Sequence, residues 1–375
     1  MTPKNHEKIY HLEEGVRIFS SGPEEFRFRK GVWNFTEAVV KLQGQDEKIK
    51  AFFASVMAEL GSPAGADARK IADAVGASPE ERQGYEEILA DMKTQGYLYD
   101  TADQEARRII SGILGGRISG FEEYTHQARP MLFVTDNDYA REAARTMARQ
   151  TQLPLDILDR KSLDEIRQAD LATRTEALEY LKPLEKLQEG FRSPAGILAS
   201  LISPDISLLR NLNRIAIALE KPFILGFTEG PFLTVLSTLA TQTGCFECFE
   251  QRMLARLEDT VVYHQFVKSL REGQTRTAPA GATIFSPAAH LLTAAVMAEG
   301  FVYATLDMLR LAGRIVSVYL PLLEIQVQDL LRVPYCPACG FIAQAQMDEM
   351  YTSSRRIVDQ MLKKIDITEP KGATP

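Results

Sequence analysis

No P-loop, no GxSxG and no HExxH occurs in this chain of 375 residues, so the sequence advertises no Walker-type phosphate cradle, nucleophile elbow or helical metalloprotease site. Histidine is sparse. The five present, His6, His11, His126, His264 and His290, are scattered, and none falls in a metal or triad motif. Excess positive charge is missing too: 43 Lys and Arg face 50 Asp and Glu, a formal charge of −7. Nucleic acids and acidic membranes both require a basic surface, so neither is expected as a partner. The N-terminal MTPKNHEKIYHLEEG has no apolar signal core, which predicts cytoplasmic residence. The most apolar stretch, Ala288 to Leu311, contains Glu299, Asp307 and Arg310. Charges at that density read as a buried helix pair and not as a membrane span. No internal repeat is visible.

Cysteine is rare but leaves no remainder: Cys245 and Cys248 in GCFECFEQR, with Cys336 and Cys339 in PYCPACG, make up all four. Two CxxC pairs with nothing left over are what a tetrahedral four-thiolate Zn2+ site requires, and four thiolates leave no open position for substrate. Such a site is structural. Gly340, directly after the last ligand, suits a knuckle turn in which backbone amides approach the sulfurs. A disulfide or redox reading stays open beside it, although a redox helix start would fit Cys245 at best and leave the second pair unexplained. His264 is an alternative ligand, but four cysteines already fill the shell.

In residues 1–100, Val16 to Ser21 reads as a strand and Phe26 to Arg29 alternates with period two after the turn residues Gly22 and Pro23, with Ala38 to Leu42 as a third strand. Helices are predicted over Glu47 to Leu60, Ala66 to Val75 and Pro79 to Gln95, the last opened by Ser78 and closed by Gly96. Tyr97 to Tyr99 would return to the sheet. Three strands and three helices predict an N-terminal winged helix-turn-helix. Residues 101–128 read as a helical connector. Strands at Met131 to Thr135, Pro154 to Leu158, Ile197 to Ile202 and Phe223 to Phe227 alternate with helices over Tyr139 to Gln150 and Ile206 to Leu219. Residues 129–345 are therefore predicted as an α/β domain with a doubly wound, Rossmann-like, mostly parallel sheet. Residues 346–375 are predicted as an amphipathic helix, with Met347, Met350, Ile357, Met361 and Ile365 apolar, and a frayed tail.

The segment from Asp205 to Arg252, DISLLRNLNRIAIALEKPFILGF…GCFECFEQR, runs on through a long apolar stretch to VPYCPACG. It resembles the ThiF/MoeB and ubiquitin-activating-enzyme superfamily, where a helix with Arg and Asn precedes a Pro-started strand and two CxxC pairs close a structural zinc site. With a winged helix in front, the chain more closely resembles the cyclodehydratase-associated partner proteins of azole- and azoline-containing peptide biosynthesis, over most of residues 5–342. Their products are ribosomally synthesised and post-translationally modified peptides (RiPPs). The resemblance implies a ThiF-type second domain and a winged helix acting as a RiPP recognition element for a precursor's leader peptide. It also implies a homodimer within a hetero-oligomer, and a separate catalytic subunit, a YcaO-type cyclodehydratase or a flavin-dependent dehydrogenase.

Adenylating members of that superfamily carry a glycine-rich turn after the first strand, where backbone amides and a helix N-terminus meet ATP phosphates. Here the turn is Thr135-Asp136-Asn137-Asp138-Tyr139, with no glycine and two acids that repel phosphate. The glycines in Ser111 to Gly116 lie upstream of the strand and do not replace it. Asp156 and Asp159 are candidates for a ribose-binding acid or for solvated loop acids. Two functions follow. One is a leader-binding scaffold that presents the core peptide to a separate catalytic subunit; the other is a ThiF/MoeB-type ATP-dependent adenylating enzyme acting on a peptide or carrier-protein C-terminus.

The winged helix itself admits three readings: peptide binding, DNA binding or packing alone. Its third helix carries Glu80, Glu81, Glu86, Glu87 and Asp91 against Arg82 and Lys93, a face that disfavours phosphate contact. A strand edge beside a helix suits β-augmentation by a guest peptide. That places peptide contacts at Thr36, Val39, Val40 and Leu42, with Tyr85, Leu89 and Lys93 bordering the groove at i, i+4 and i+8 of one helix face.

Overall fold

The computed structural model describes residues 8–22, 24–33, 35–100, 105–114, 128–172, 177–240, 242–275 and 286–341, together with 343 and 345. The chain divides into two compact units, 1–126 and 127–375. The helix expected over 346–375 lies outside the described residues.

The first unit opens with β1 (Ile9–Leu12) and a meander of β2 (Val16–Gly22), β3 (Glu25–Lys30) and β4 (Thr36–Lys41). Period-two alternation decides which face of the meander is buried. Ile18, Phe28 and Ala38 are paired across the three strands and pack into the core. The adjacent row, Arg17, Arg29 and Glu37, faces away, with Glu37 held by Arg27 at 2.6 Å and Arg29 at 3.0 Å. Three helices follow: α1 (Glu47–Leu60) capped by Asp46, α2 (Ala68–Ala74) after the two-residue β5 (Ala66–Asp67) and capped by Asp67, and α3 (Pro79–Thr94). α3 starts with a capping box in which Ser78 and Glu81 satisfy each other's backbone N–H, and Pro79 sits where no intrahelical donor is needed.

The strand expected at Tyr97 to Tyr99 is present as β6 (Leu98–Asp100), but it does not return to the meander. It pairs with β1, whose other edge takes β5, so the unit holds two separate three-stranded sheets. Helix α4 (Glu105–Ile113) follows.

In the second unit β7 (Met131–Thr135), α5 (Asp138–Thr151), β8 (Leu155–Ile157), α6 (Arg160–Gln168), α7 (Ala177–Gln188), β9 (Gly196–Leu201), α8 (Ile206–Ala218) and β10 (Phe223–Glu229) alternate strand and helix. These four strands pair in parallel. β7, β9 and most of β10 are buried throughout, as continuous apolar runs covered on both faces must be. The sheet then turns antiparallel through β11 (Phe232–Thr238), and after α9 (Phe246–Leu254), α10 (Thr260–Arg271) and α11 (Ser286–Leu306) it closes with β12 (Arg314–Tyr319) and β13 (Glu324–Asp329). The seven-strand order is β13-β12-β11-β10-β9-β7-β8. On one face α6, α8 and α9 pack into a core with Leu132, Ala199, Leu225 and Leu236.

The opposite face takes α5 and α11. α11 lies so close that a Cβ on Gly226 would stand 2.7 Å from Val296 and one on Gly300 would stand 2.6 Å from Leu198; glycine is there to permit the approach. The expected helix pair is thus one helix, ending where Asp307 turns to φ 55°. Its residues Pro287–Leu306 are long and apolar enough to cross a membrane, yet 67% of the apolar window is buried inside the fold. Its acid Glu299 is buried and accepts from Arg310 at 2.9 Å and from the Leu311 amide at 2.8 Å, so the charge is paired and hydrogen-bonded rather than stranded.

Candidate metal centre

Two distant segments bring the four cysteines together. Cys245 and Cys248 lie at the start of α9, and Cys336 and Cys339 sit in the turn after β13. All four are buried, and their sulfurs lie within 4.8 Å of one another. The contacts Cys248–Cys339, Cys245–Cys336 and Cys245–Cys248 measure 3.4, 3.6 and 3.9 Å. A tetrahedron with metal–sulfur bonds of about 2.3 Å has edges of about 3.8 Å, whereas a disulfide needs about 2.05 Å. The cysteines are free thiols, and the donor set fits Zn2+. Crowding by the Cys248, Cys336 and Cys339 sulfurs pushes the Cys245 thiol well above its ordinary value; a divalent cation is what lets such a set ionise together. Gly340 is required by the knuckle, because a Cβ there would stand 2.5 Å from the Cys336 carbonyl oxygen.

Around the sulfurs stands a shell of fixed donors. The Val333 amide donates to Cys248 Sγ at 3.3 Å, and Asn213 Nδ2 points at Cys245 Sγ at 3.6 Å while its Oδ1 accepts from the Phe246 amide at 3.1 Å. Donors of this kind orient thiolates and spread their charge. Asn213 lies on α8, which carries a buried polar row into the same region. Arg214 grips Glu247 with two bonds of 2.8 Å, both residues being 3% exposed, and also donates to the Leu171 carbonyl at 2.7 Å. Asn211 Nδ2 donates to the carbonyls of Ile166 and Ala169, each at 2.7 Å. Arg210 grips Glu250, which also accepts from the Tyr263 hydroxyl. His264 lies on α10 with its ring against Tyr263, outside the sulfur cluster.

The other place where chemistry is expected is the crevice at the carboxyl ends of β7 and β9, where the chain leaves β7 for β8 on one side and later returns as β9 on the other. Ligands of parallel sheets bind at such switch points. Here one of the chain's own carboxylates, Asp136, lies among backbone amides. Asp136 Oδ1 accepts from the Ile202 amide at 2.9 Å and Oδ2 from the Ser203 amide at 2.8 Å, so both backbone donors after β9 are satisfied from within the chain. Burial holds the Asp136 carboxyl above its ordinary value, offset in part by those two amides. Thr135 donates to the Ser200 carbonyl at 2.7 Å, and Asn137 caps α5. Asp138 is bound by Arg160 at 2.6 Å, which lowers its carboxyl pKa. Asp159, a candidate ribose acid, instead caps α6 by accepting from the Ser162 amide at 2.9 Å.

The surface expected to receive a peptide is divided. β4 is an edge of its sheet, paired with β3 on one side; Thr36 and Val39 are exposed and Val40 is half-buried. Leu42, Tyr85 and Leu89 are core residues at 4%, 4% and 0% exposure, which corrects their assignment to a groove. Tyr85 stacks on Phe52 with ring centres 4.2 Å apart. The physical reason is that the i, i+4, i+7 row Tyr85, Leu89, Met92 is the apolar stripe of α3 and must face inward. Lys93 is engaged with Asp100 at 2.8 Å. The large apolar residue exposed on α3 is Ile88.

No family model and no curated protein matches the chain. Solved structures do. The heterocyclase TruD matches 89% of the chain with a TM-score of 0.56 at 16% identity, and a heterocyclase in complex with substrate and cofactor matches 88% with a TM-score of 0.56 at 14% identity. The chain shares a fold with these heterocyclases. It spans less than half of their length, 43% and 39%. E. coli MccB with MccA aligns with 88% of the chain and 99% of its own at 11% identity, with a TM-score of 0.46.

Residues that sequence reasoning missed are those defined by distant partners. Asn213, Arg214 and Glu247 carry a legible signal, polar groups in the middle of an apolar helix and beside a cysteine, which have to be paired if buried. Val333 acts through its backbone and carries none.

Proposed function

We propose that the chain is a non-adenylating, leader-peptide-binding scaffold subunit of a RiPP-modifying complex, of the azole- or azoline-forming kind. The observation that carries this reading is the switch point, where Asp136 occupies the amides of Ile202 and Ser203, in a fold shared with heterocyclases. A chain with a heterocyclase-like fold and no glycine in the turn after β7 fits a subunit that positions a precursor for another polypeptide, a YcaO-type cyclodehydratase or a flavin-dependent dehydrogenase. In this reading residues 1–100 are a winged-helix recognition element, 101–128 a connector, 129–345 a ThiF-type, Rossmann-like domain, and 346–375 a C-terminal extension. The complex works in the cytoplasm.

Capture runs through the open edge of β4. A guest strand gains backbone hydrogen bonds there, and Val39 beside it supplies apolar contact. Zn2+ held by Cys245, Cys248, Cys336 and Cys339 supplies a cross-link between α9 and the segment after β13, with no open coordination position. The test is fluorescence polarisation of the full chain with a labelled leader from a short precursor encoded beside it. Binding in the micromolar range is expected, since a flexible leader loses ordering entropy on docking. Val39→Asp weakens it at least about tenfold, roughly the loss of one apolar contact, with an unchanged melting temperature. Absence of binding to any such peptide rejects the reading.

A further inference from the structure

Among the described residues the seven-stranded sheet ends on one side at β8, a three-residue strand paired with β7 alone. The inward hydrogen bonds of this segment come from alternate positions: the Pro154 carbonyl accepts from the Met131 amide and the Leu158 amide donates to the Phe133 carbonyl, each at 2.9 Å. The N–H and C=O groups of Leu155 and Ile157 therefore point out of the open edge. Their side chains lie on the face of Met131 and Phe133, with which they are in register, and line a groove of about 600 Å3 beside α5.

Arg145, Ala148 and Arg149 of α5 form the other wall, together with Leu153 from the turn. Arg141, Arg145 and Arg149 recur one helical turn apart along α5, which places them on one face. Arg141 donates to the Leu158 carbonyl at 3.4 Å, so that face is turned toward β8. Charge there is one-sided. Arg141 and Arg160 share Asp138, and Arg145 and Arg149 share Glu142 at 3.7 and 3.5 Å, in a chain whose formal charge is −7. The Arg145 and Arg149 side chains are 54% and 74% exposed. Ion pairs so long and so exposed hold little energy, which leaves both guanidinium groups open to an incoming acid.

We propose that this groove docks an extended acidic segment of a partner polypeptide, paired as a strand with β8 and carrying acids at alternate positions. The spacings match. Arg145 and Arg149 lie about 6 Å apart along the helix axis, and alternate side chains of a strand lie about 6.7 Å apart. A guest strand beside β8 turns every second side chain toward α5, so acids at j and j+2 meet Arg145 and Arg149 while its backbone takes the outward groups of Leu155 and Ile157. Each guanidinium can hold a carboxylate with two parallel bonds. β8 is short, so its backbone offers few bonds and the arginines supply much of the selectivity. The groove lies within the second unit and does not depend on the reading given to β4.

The test uses the full zinc-loaded chain and a labelled octapeptide of alternating Glu and Thr, read by fluorescence polarisation. Saturable binding at submillimolar peptide is expected. An isomer of the same composition with its acids adjacent, Glu-Glu-Thr-Thr repeated, should bind at least about tenfold more weakly, a loss of about 1.4 kcal/mol, because its acids cannot all face α5. Arg145→Ala/Arg149→Ala should weaken the alternating peptide by a similar factor with an unchanged melting temperature, since both side chains are largely exposed. N-methylation of the peptide's Glu residues or of its Thr residues tests the backbone pairing. Loss with the Glu set marks an antiparallel guest and loss with the Thr set a parallel one. No saturable binding, equal binding of the isomer, binding unchanged in the double variant, or full binding by both N-methylated peptides overturns the proposal. So does tripolyphosphate binding through Arg145 and Arg149 without peptide binding, which assigns the arginines to phosphate. A wild-type dimer that the double variant dissociates puts a second copy in the groove and overturns it as well.

Discussion

The cysteine cluster and the switch-point crevice lie on the same sheet and treat buried polar groups in opposite ways. Around the cysteines, Asn213 and the Val333 amide donate to sulfurs whose arrangement fits a metal ion, with the Arg214–Glu247 pair buried beside them. At the crevice, Asp136 turns inward and accepts from the Ile202 and Ser203 amides at the end of β9. One region fits an ion; the other is satisfied by groups of the chain itself. The difference teaches that this chain shares the fold of its heterocyclase neighbours while its own side chains satisfy the backbone donors at the switch point.

The comparison breaks most severely at the cysteines. Cys336→Ser leaves the ion under-coordinated, and structural zinc in small domains is worth about 10–16 kcal/mol of folding free energy. We expect about one zinc per chain in the wild type, and loss of both the metal and the cooperative unfolding transition of the second unit in the variant. Elemental analysis with calorimetry checks this; a metal-free wild type with an unchanged melting temperature contradicts it.

Next in size is Glu247→Ala, which strands Arg214 in a site where both residues are 3% exposed. Loss of one partner of a buried pair costs about 3–5 kcal/mol. The apolar double variant Arg214→Met/Glu247→Leu should recover much of that loss, because the larger penalty is the unpaired charge. Urea denaturation at saturating zinc measures both, and equal losses in the single and double variants would remove the ion pair from the account.

Smaller effects sharpen the crevice. Asp136→Ala frees two amides and should lower stability by about 1–3 kcal/mol. The pH dependence carries a sign as well. Burial raises the folded-state pKa of Asp136, so its contribution is fully present below the unfolded value of about 3.9 and is lost as pH rises through the folded value. Asp136→Asn removes that slope. Thermal melts of the two proteins across the acidic range should converge at low pH and separate above it; parallel curves would show that Asp136 is not buried as described.

Much of this was legible before any coordinates. The cysteine pairs announce their centre because thiol chemistry restricts four free sulfurs to few arrangements, and the TDNDY turn after β7 shows directly that no glycine-rich turn follows that strand. The central strands β7, β9 and β10 show as largely apolar runs. What stayed hidden depends on distant partners. Asp136 reads from sequence as a repulsive loop acid, and only the fold brings it to the amides of Ile202 and Ser203, 66 and 67 residues away. The four-residue β1 is too short for alternation to reveal, so the second small sheet that receives β6 goes unread. The face of α3 was legible and misassigned: a row of Tyr85, Leu89 and Met92 at helical spacing is a core stripe before it is a binding surface.

The most direct test of the central claim, that the crevice is closed to nucleotide, is calorimetric titration of the wild-type chain with MgATP. The account predicts no saturable heat at micromolar to millimolar nucleotide, because the amides of Ile202 and Ser203 already hold Asp136. Saturable binding in the micromolar range, abolished by substitution at Asp136, would contradict it.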